Sequence, residues 1–204
     1  MTVSSSSAVS APPERSAGEP LRLAVIAGSV REQRMSRAVA EWAAFRAAAT
    51  EAEVDLIDCA ECELPGDEDL RPGGSADTPV AGRINGADAF VFVTPEYNHS
   101  YPASLKRLID WHYREWMFKP ATVLSYGVHG GLLATEHLRG VLAELNMVTT
   151  RRVVGLRQPW NHLSPPGFTP PADVTAAFDD ALHELAWWAG VLRSARHDRP
   201  FARR

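Results

Sequence analysis

Residues 89–93 read Ala-Phe-Val-Phe-Val, apolar at all five positions. Successive strand side chains point to opposite faces, so a strand apolar on both faces belongs between two covering layers. Similar short apolar runs occur at Leu21 to Ala27, Val54 to Ile57, Ala121 to Ser125 and Val148 to Val154. Helical spacing separates them. Met35, Val39, Trp42 and Ala43 share one face after the first run, and a short helix near Pro79 to Asn85 precedes the third. Leu105, Leu108 and Ile109 share a face in a helix that starts at Pro102, with proline in its first turn. Leu138, Val141, Leu142 and Leu145 mark a fourth helix, and Val174, Phe178, Ala181, Leu182, Leu185 and Trp188 a last one.

Strands that alternate with helices predict an α/β domain with a parallel sheet. Five strands suit the flavodoxin-like doubly wound order 2-1-3-4-5. Right-handed crossovers then bring the loops after strands 1, 3 and 4 together at the carboxyl edge. The domain spans 21–195. Residues 1–20, rich in Ser, Ala and Pro, read as a disordered tail, and 196–204 as a C-terminal tail. The acidic connection Asp58 to Asp77 reads as surface loop, and Gln158 to Pro171 as a proline-rich excursion.

The first of the three loops runs from Gly28-Ser29 through Arg31 and Arg34 to Ser36 at a helix start. Unsatisfied backbone N–H groups and the helix dipole favour an anion there. Ser29 and Ser36 add hydroxyl donors, and Arg31 and Arg34 add charge. The loop lacks both the Walker G-x-x-x-x-G-K-[ST] pattern and the dinucleotide G-x-G-x-x-G pattern. That leaves a single terminal phosphomonoester, such as that of FMN, as the anion it suits; the plain alternative is a strand-to-helix turn capped by Ser36.

The second loop, Thr94-Pro95-Glu96-Tyr97-Asn98-His99-Ser100-Tyr101-Pro102, holds its backbone with two prolines and offers two flat tyrosines. Fixed backbone N–H groups in such a loop can bond a flavin ring where charge gathers on reduction. The third, Ser125-Tyr126-Gly127-Val128-His129-Gly130-Gly131, is small enough for a ring edge to approach the backbone.

Other classes find little support. The formal charge of -4 gives no reason to expect nucleic acid or an anionic membrane as partner. No apolar run is long enough to cross a bilayer, and the N-terminus lacks the basic start and apolar core of a secretory signal. The expected compartment is cytoplasmic. Cys59 and Cys62 form a C-x-x-C without a second pair for zinc, among acidic neighbours that disfavour a thiolate, so no metal site is expected. His129 reads as a solvated loop histidine, with contact to substrate or nicotinamide as the alternative, His99 as a cap of the next turn, and His112 as a satisfied core or interface histidine. Trp111, Tyr113 and Trp116 read either as core packing or as a dimer contact.

Gly28-Ser29-x-Arg31-x4-Ser36, Thr94-Pro95-Glu96-Tyr97-Asn98 with Leu105-Lys106-x3-Asp110-Trp111, and Ser125-Tyr126-Gly127 with Gly130-Gly131 occur in one order and spacing. In these elements, across Leu21 to Gly155, the chain resembles the NADPH-dependent FMN reductases, a family with azo, quinone and chromate reductases. The resemblance implies that Ser29, Arg31 and Ser36 hold the FMN phosphate. It implies that Pro95, Glu96, Tyr97 and Asn98 border the isoalloxazine, and that Ser125, Tyr126 and Gly127 complete the pocket. NADPH or NADH would reduce bound FMN, which would pass two electrons to a quinone, azo, flavin or similar small acceptor, with no side-chain acid or base required. A biosynthetic tailoring role is a variant of this. A homodimer or homotetramer is the implied assembly. The competing expectation is a flavodoxin-type electron carrier without NAD(P)H turnover, and a third is a member that binds no flavin.

Overall fold

The computed structural model describes residues 19–74, 78–165 and 167–201. Most of the tail read at 1–20 therefore lies outside the described residues, as do residues 75–77 of the acidic connection and 202–204 at the C-terminus. Five strands build the main body of the sheet: β1 (Arg22–Ala27), β2 (Glu53–Asp58), β3 (Ala89–Pro95), β4 (Pro120–Gly127) and β5 (Val148–Thr149). They lie in the order β2-β1-β3-β4-β5, every pair parallel. The helices are α1 (Ser36–Ala48), α2 (Ala81–Gly86), α3 (Ala103–Asp110), α4 (Leu132–Glu144) and α5 (Ala172–Asp198).

The all-apolar run sits where its composition requires. Every residue of β3 is buried, and the two faces of the sheet carry separate cores. Val91 and Val93 pack with Val39, Ala43, Phe178 and Leu182 of α1 and α5. Phe90 and Phe92 face the other way, towards Leu105, Leu108, Trp116 and Leu138. Trp116 meets Phe90 edge-on at 4.8 Å and donates from Nε1 to the Ile109 carbonyl. Trp111 and Trp116 are both buried within the chain, so core packing is their role, while Tyr113 is half-buried. His112 is also buried and spends both ring nitrogens internally, Nε2 on Thr78 Oγ1 at 2.6 Å and Nδ1 on the Leu108 carbonyl at 2.8 Å.

The fifth strand departs from expectation. Instead of one run from Val148 to Val154, β4 is flanked by β5 at its start and by a sixth strand, β6 (Val154–Arg157), at its end. The intervening chain leaves the ladder because other groups satisfy it. Arg139 donates to the carbonyls of Thr150 and Arg151, and Thr150 Oγ1 bonds Thr122 Oγ1 at 2.9 Å. Pro102 likewise stands just before α3 as its cap residue rather than inside it.

The proline-rich excursion is ordered into a short turn at Pro159–His162 and a hairpin of β7 (Leu163–Ser164) and β8 (Gly167–Phe168). Phe168 seats it on Trp42 of α1, edge to face. Beyond the boundary read at 195, α5 continues to Asp198, where Arg196 donates to the Phe118 carbonyl and pairs with Asp88.

Candidate functional site

The loops after β1, β3 and β4 meet at the carboxyl edge and are bonded to one another. Gly28 N–H donates to the Val93 carbonyl at 2.9 Å, and Ser104 Oγ donates to the Gly28 carbonyl at 2.6 Å. Ser29 Oγ and the Tyr97 hydroxyl lie 2.7 Å apart, joining the first loop to the second. Glu96 N–H donates to the Tyr126 carbonyl at 2.8 Å, joining the second to the third. The Tyr126 phenol lies near Ser36, Arg31 and Arg34, back at the first loop. Burial of Tyr126 pushes its phenol well above the ordinary range, so it remains a neutral donor.

The first loop leads into α1 without a side-chain cap. The residue before α1 is Met35, which offers no side-chain cap, and the first turn holds no acid. Its leading N–H groups are thus left for an outside partner. Arg31 bears no carboxylate partner among the described residues; its guanidinium lies 3.6 Å from the centre of the Tyr97 ring. Arg34 donates from Nη2 to the buried Asp58 carboxylate at 2.7 Å, yet its Nε is buried with no partner. A buried unsatisfied N–H is costly, on the order of 1–3 kcal/mol. An orphan donor beside an uncapped helix start fits a phosphate. Ser29 and Ser36 are fully buried at the same place, Ser36 Oγ donating to the Ser29 carbonyl.

The second loop is a tight turn. Tyr97 and Ser100 exchange backbone hydrogen bonds around Asn98 and His99, at φ 50° and 67°. Consecutive positive φ values are the type I′ geometry that asparagine tolerates. Asn98 is exposed on that turn, Tyr97 half-buried, and Pro95 buried in register with Tyr126. Glu96 does not reach into the space between the loops; its Oε2 accepts from the N–H groups of Leu133 and Ala134 in α4.

In the third loop the Ser125 hydroxyl is spent on the Gly130 carbonyl at 2.9 Å. Gly131 follows at φ 77°, and a Cβ there would lie 2.8 Å from Ser125 Cβ and from Tyr126 N. The carbonyl of Gly127 accepts from Gln158 N–H at 2.8 Å, which anchors the excursion beside the site. His129 is exposed.

The structure therefore places Ser29, Arg31, Ser36, Pro95, Tyr97, Asn98, Tyr126 and Gly127 on the three adjoining loops, while, against expectation, the Glu96 carboxylate turns to α4 and the Ser125 hydroxyl to the Gly130 carbonyl. The sequence reading named Arg34 only as charge on the loop and missed Asp58. The spacing Arg31-x-x-Arg34 was visible, but nothing local showed that Asp58, 24 residues away, would hold one edge of Arg34.

The cysteine pair stays apart from this chemistry. Burial pushes the Cys59 thiol far up and the Cys62 thiol up to about 11, and Cys62 Sγ sits 3.2 Å from the Asp58 carbonyl. Among the described residues no cluster of three His, Cys, Asp or Glu side chains is placed to hold a metal, and no helix is long and apolar enough to cross a membrane.

Comparison with known proteins adds a family. The profile described as NADPH-dependent FMN reductase matches residues 21–161. An NAD(P)H-dependent FMN reductase of Saccharomyces cerevisiae is 36% identical over 145 residues, covering 62% of this chain and 76% of that protein. A 2-hydroxy-1,4-benzoquinone reductase of a Burkholderia species is 33% identical over 140 residues, covering 63% of this chain and 73% of the other. Among solved structures, the flavoenzyme NAD(P)H:(acceptor) oxidoreductase FerB of Paracoccus denitrificans superposes with a TM-score of 0.66. It covers 83% of this chain and 97% of its own at 24% identity, a likeness of fold.

Proposed function

This chain belongs to the NADPH-dependent FMN reductase family, and from that premise we propose that it uses bound FMN to carry electrons from NADPH or NADH to a small acceptor such as a quinone. The observation that carries the reading is the uncapped start of α1, with the carboxylate-free Arg31 and the orphan Nε of Arg34 beside it. A phosphomonoester supplies what those donors lack.

When bound, the flavin supplies the redox chemistry, taking two electrons from the nicotinamide and yielding them to the acceptor. The chain's own residues bind and orient. Ser29 and Ser36, buried with their hydroxyls bonded inside the fold, would hold the shape of the loop rather than touch the phosphate, while Arg31 and Arg34 balance its charge. Tyr97 would present an aromatic face to the ring, and the tight turn behind it would keep that face in place. Tyr126, neutral and buried, would exclude water from the inner side, with Gly127 letting the ring edge approach the backbone. No side chain is needed as an acid or base.

Self-association as a homodimer or homotetramer is part of the same proposal. Its support is the apolar surface left in solvent around the third loop, at Val128, Leu132, Leu133 and Trp160. The cytoplasm, where reduced nicotinamides are supplied, is the proposed compartment.

The test is a titration of the protein with FMN and with riboflavin, followed by anaerobic addition of NADH or NADPH. FMN should bind far more tightly than riboflavin, and either nicotinamide should bleach it. Steady-state lines at several quinone concentrations should be parallel, as for two substrates using one pocket in turn. Equal affinity for the two flavins would overturn the phosphate assignment, and failure of both nicotinamides to bleach would overturn the reductase reading.

A further inference from the structure

Two of the helix starts at the carboxyl edge, those of α1 and α4, are finished in opposite ways. At α1 no side chain caps the first turn and arginines stand beside it. At α4 the residue before the helix is Gly131, which has no side chain to offer. The cap comes instead from another loop. Glu96 Oε2 accepts from Leu133 N–H at 3.0 Å and from Ala134 N–H at 3.3 Å. The backbone of the same residue is tied to Tyr126 at 2.8 Å, so Glu96 is held against the third loop at both ends.

We propose that Glu96 is a positioning residue that weakens the hold of the site on reduced flavin, by placing a full negative charge on the positive end of α4 where the second and third loops meet. The inference rests on the FMN reading above. A helix N-terminus carries about half a positive charge. Left bare, the start of α4 would be a second anion site, and it would favour the electron-rich form of any ring lying beside it. A carboxylate seated there reverses the sign of the local charge. Charge beside the ring is one of the means by which a protein tunes a flavin's electronics.

Reduced flavin is bound less tightly than it would be beside a neutral residue, which makes it a stronger donor to the acceptor.

A glutamine at the same position separates charge from capping. Its amide oxygen reaches as far as the carboxylate oxygen, so the bond from Leu133 can persist while the charge is gone. In the FMN-loaded protein, Glu96→Gln should leave the dissociation constant of oxidised FMN little changed and tighten reduced FMN about tenfold. That ratio raises the midpoint potential by about 30 mV for a two-electron couple, read by equilibration against a redox dye.

A second variant, Glu96→Asp, keeps the charge and shortens the reach to the two N–H groups of α4. Its potential should not rise. A Glu96→Gln potential at or below that of the parent overturns the proposal, and so does an equal rise in Glu96→Asp, which would assign the effect to the cap alone. A parent protein that takes up no FMN would overturn the functional reading itself. One that binds FMN while Glu96→Gln leaves the potential unmoved overturns only this inference.

Discussion

Gly131→Ala adds one methyl group at the point where the third loop turns into α4. The residue lies at φ 77°, and the new Cβ would sit 2.8 Å from Ser125 Cβ, 2.8 Å from Tyr126 N and 3.0 Å from Tyr126 O. Left-handed backbone costs a non-glycine residue roughly 1–2 kcal/mol. The neighbours are backbone atoms of the central strand β4, which cannot rotate aside, and overpacking of that kind costs about 1–3 kcal/mol. Together the two effects come to roughly 2–5 kcal/mol. For a domain of this size that lowers Tm on the order of 10 °C. The strain falls on Ser125 and Tyr126, so FMN affinity should drop with it. Gly140→Ala is the matched control, in the same helix but exposed and with nothing within 4 Å of the added atom. There the methyl should stabilise the helix by about 0.5–1 kcal/mol. Thermal melts and FMN titrations of the two variants decide the matter. A Gly131→Ala protein that melts with Gly140→Ala and binds FMN like the parent would refute the argument.

Arg31→Ala removes the guanidinium that has no carboxylate partner, and a charge-assisted hydrogen bond is worth about 1.5–3 kcal/mol. The FMN dissociation constant should rise about ten- to hundredfold by fluorescence titration, with riboflavin binding unmoved. Replacing Cys59 and Cys62 together with serine should leave FMN content and turnover in place, since burial keeps both thiols protonated at neutral pH; an assay of the double variant checks it. Lys119 donates from Nζ to the carbonyls of Ile84 and Asn85, and burial, aided by nearby Arg196, lowers its pKa to about 7. The unfolded chain keeps this amine protonated to about pH 10.4, so between those values the unfolded state binds more protons and rising pH stabilises the fold. Melts at pH 7 and pH 9 should show that gain in the parent and lose part of it in Lys119→Met, which also leaves two buried carbonyls without their donor.

The all-apolar Ala89 to Val93, the strand that precedes Gly28 and the helical spacing around Leu105 and Leu182 are local patterns. Alternation of the two periods, with right-handed crossovers, is enough to order the strands and to bring the loops after β1, β3 and β4 to one edge. The sequence by itself therefore determined the architecture and the neighbourhood of the site. Only the tertiary structure decided which polar groups in that neighbourhood remain available. Ser125 turns to the Gly130 carbonyl, Glu96 reaches α4 across 37 and 38 residues, and Asp58 takes one edge of Arg34 while leaving Nε without a partner. The break between β5 and β6 arose the same way, through Arg139 and Thr122. Hydrogen bonds between distant segments depend on distances of a few tenths of an ångström, whereas burial periodicity is a property of neighbours along the chain.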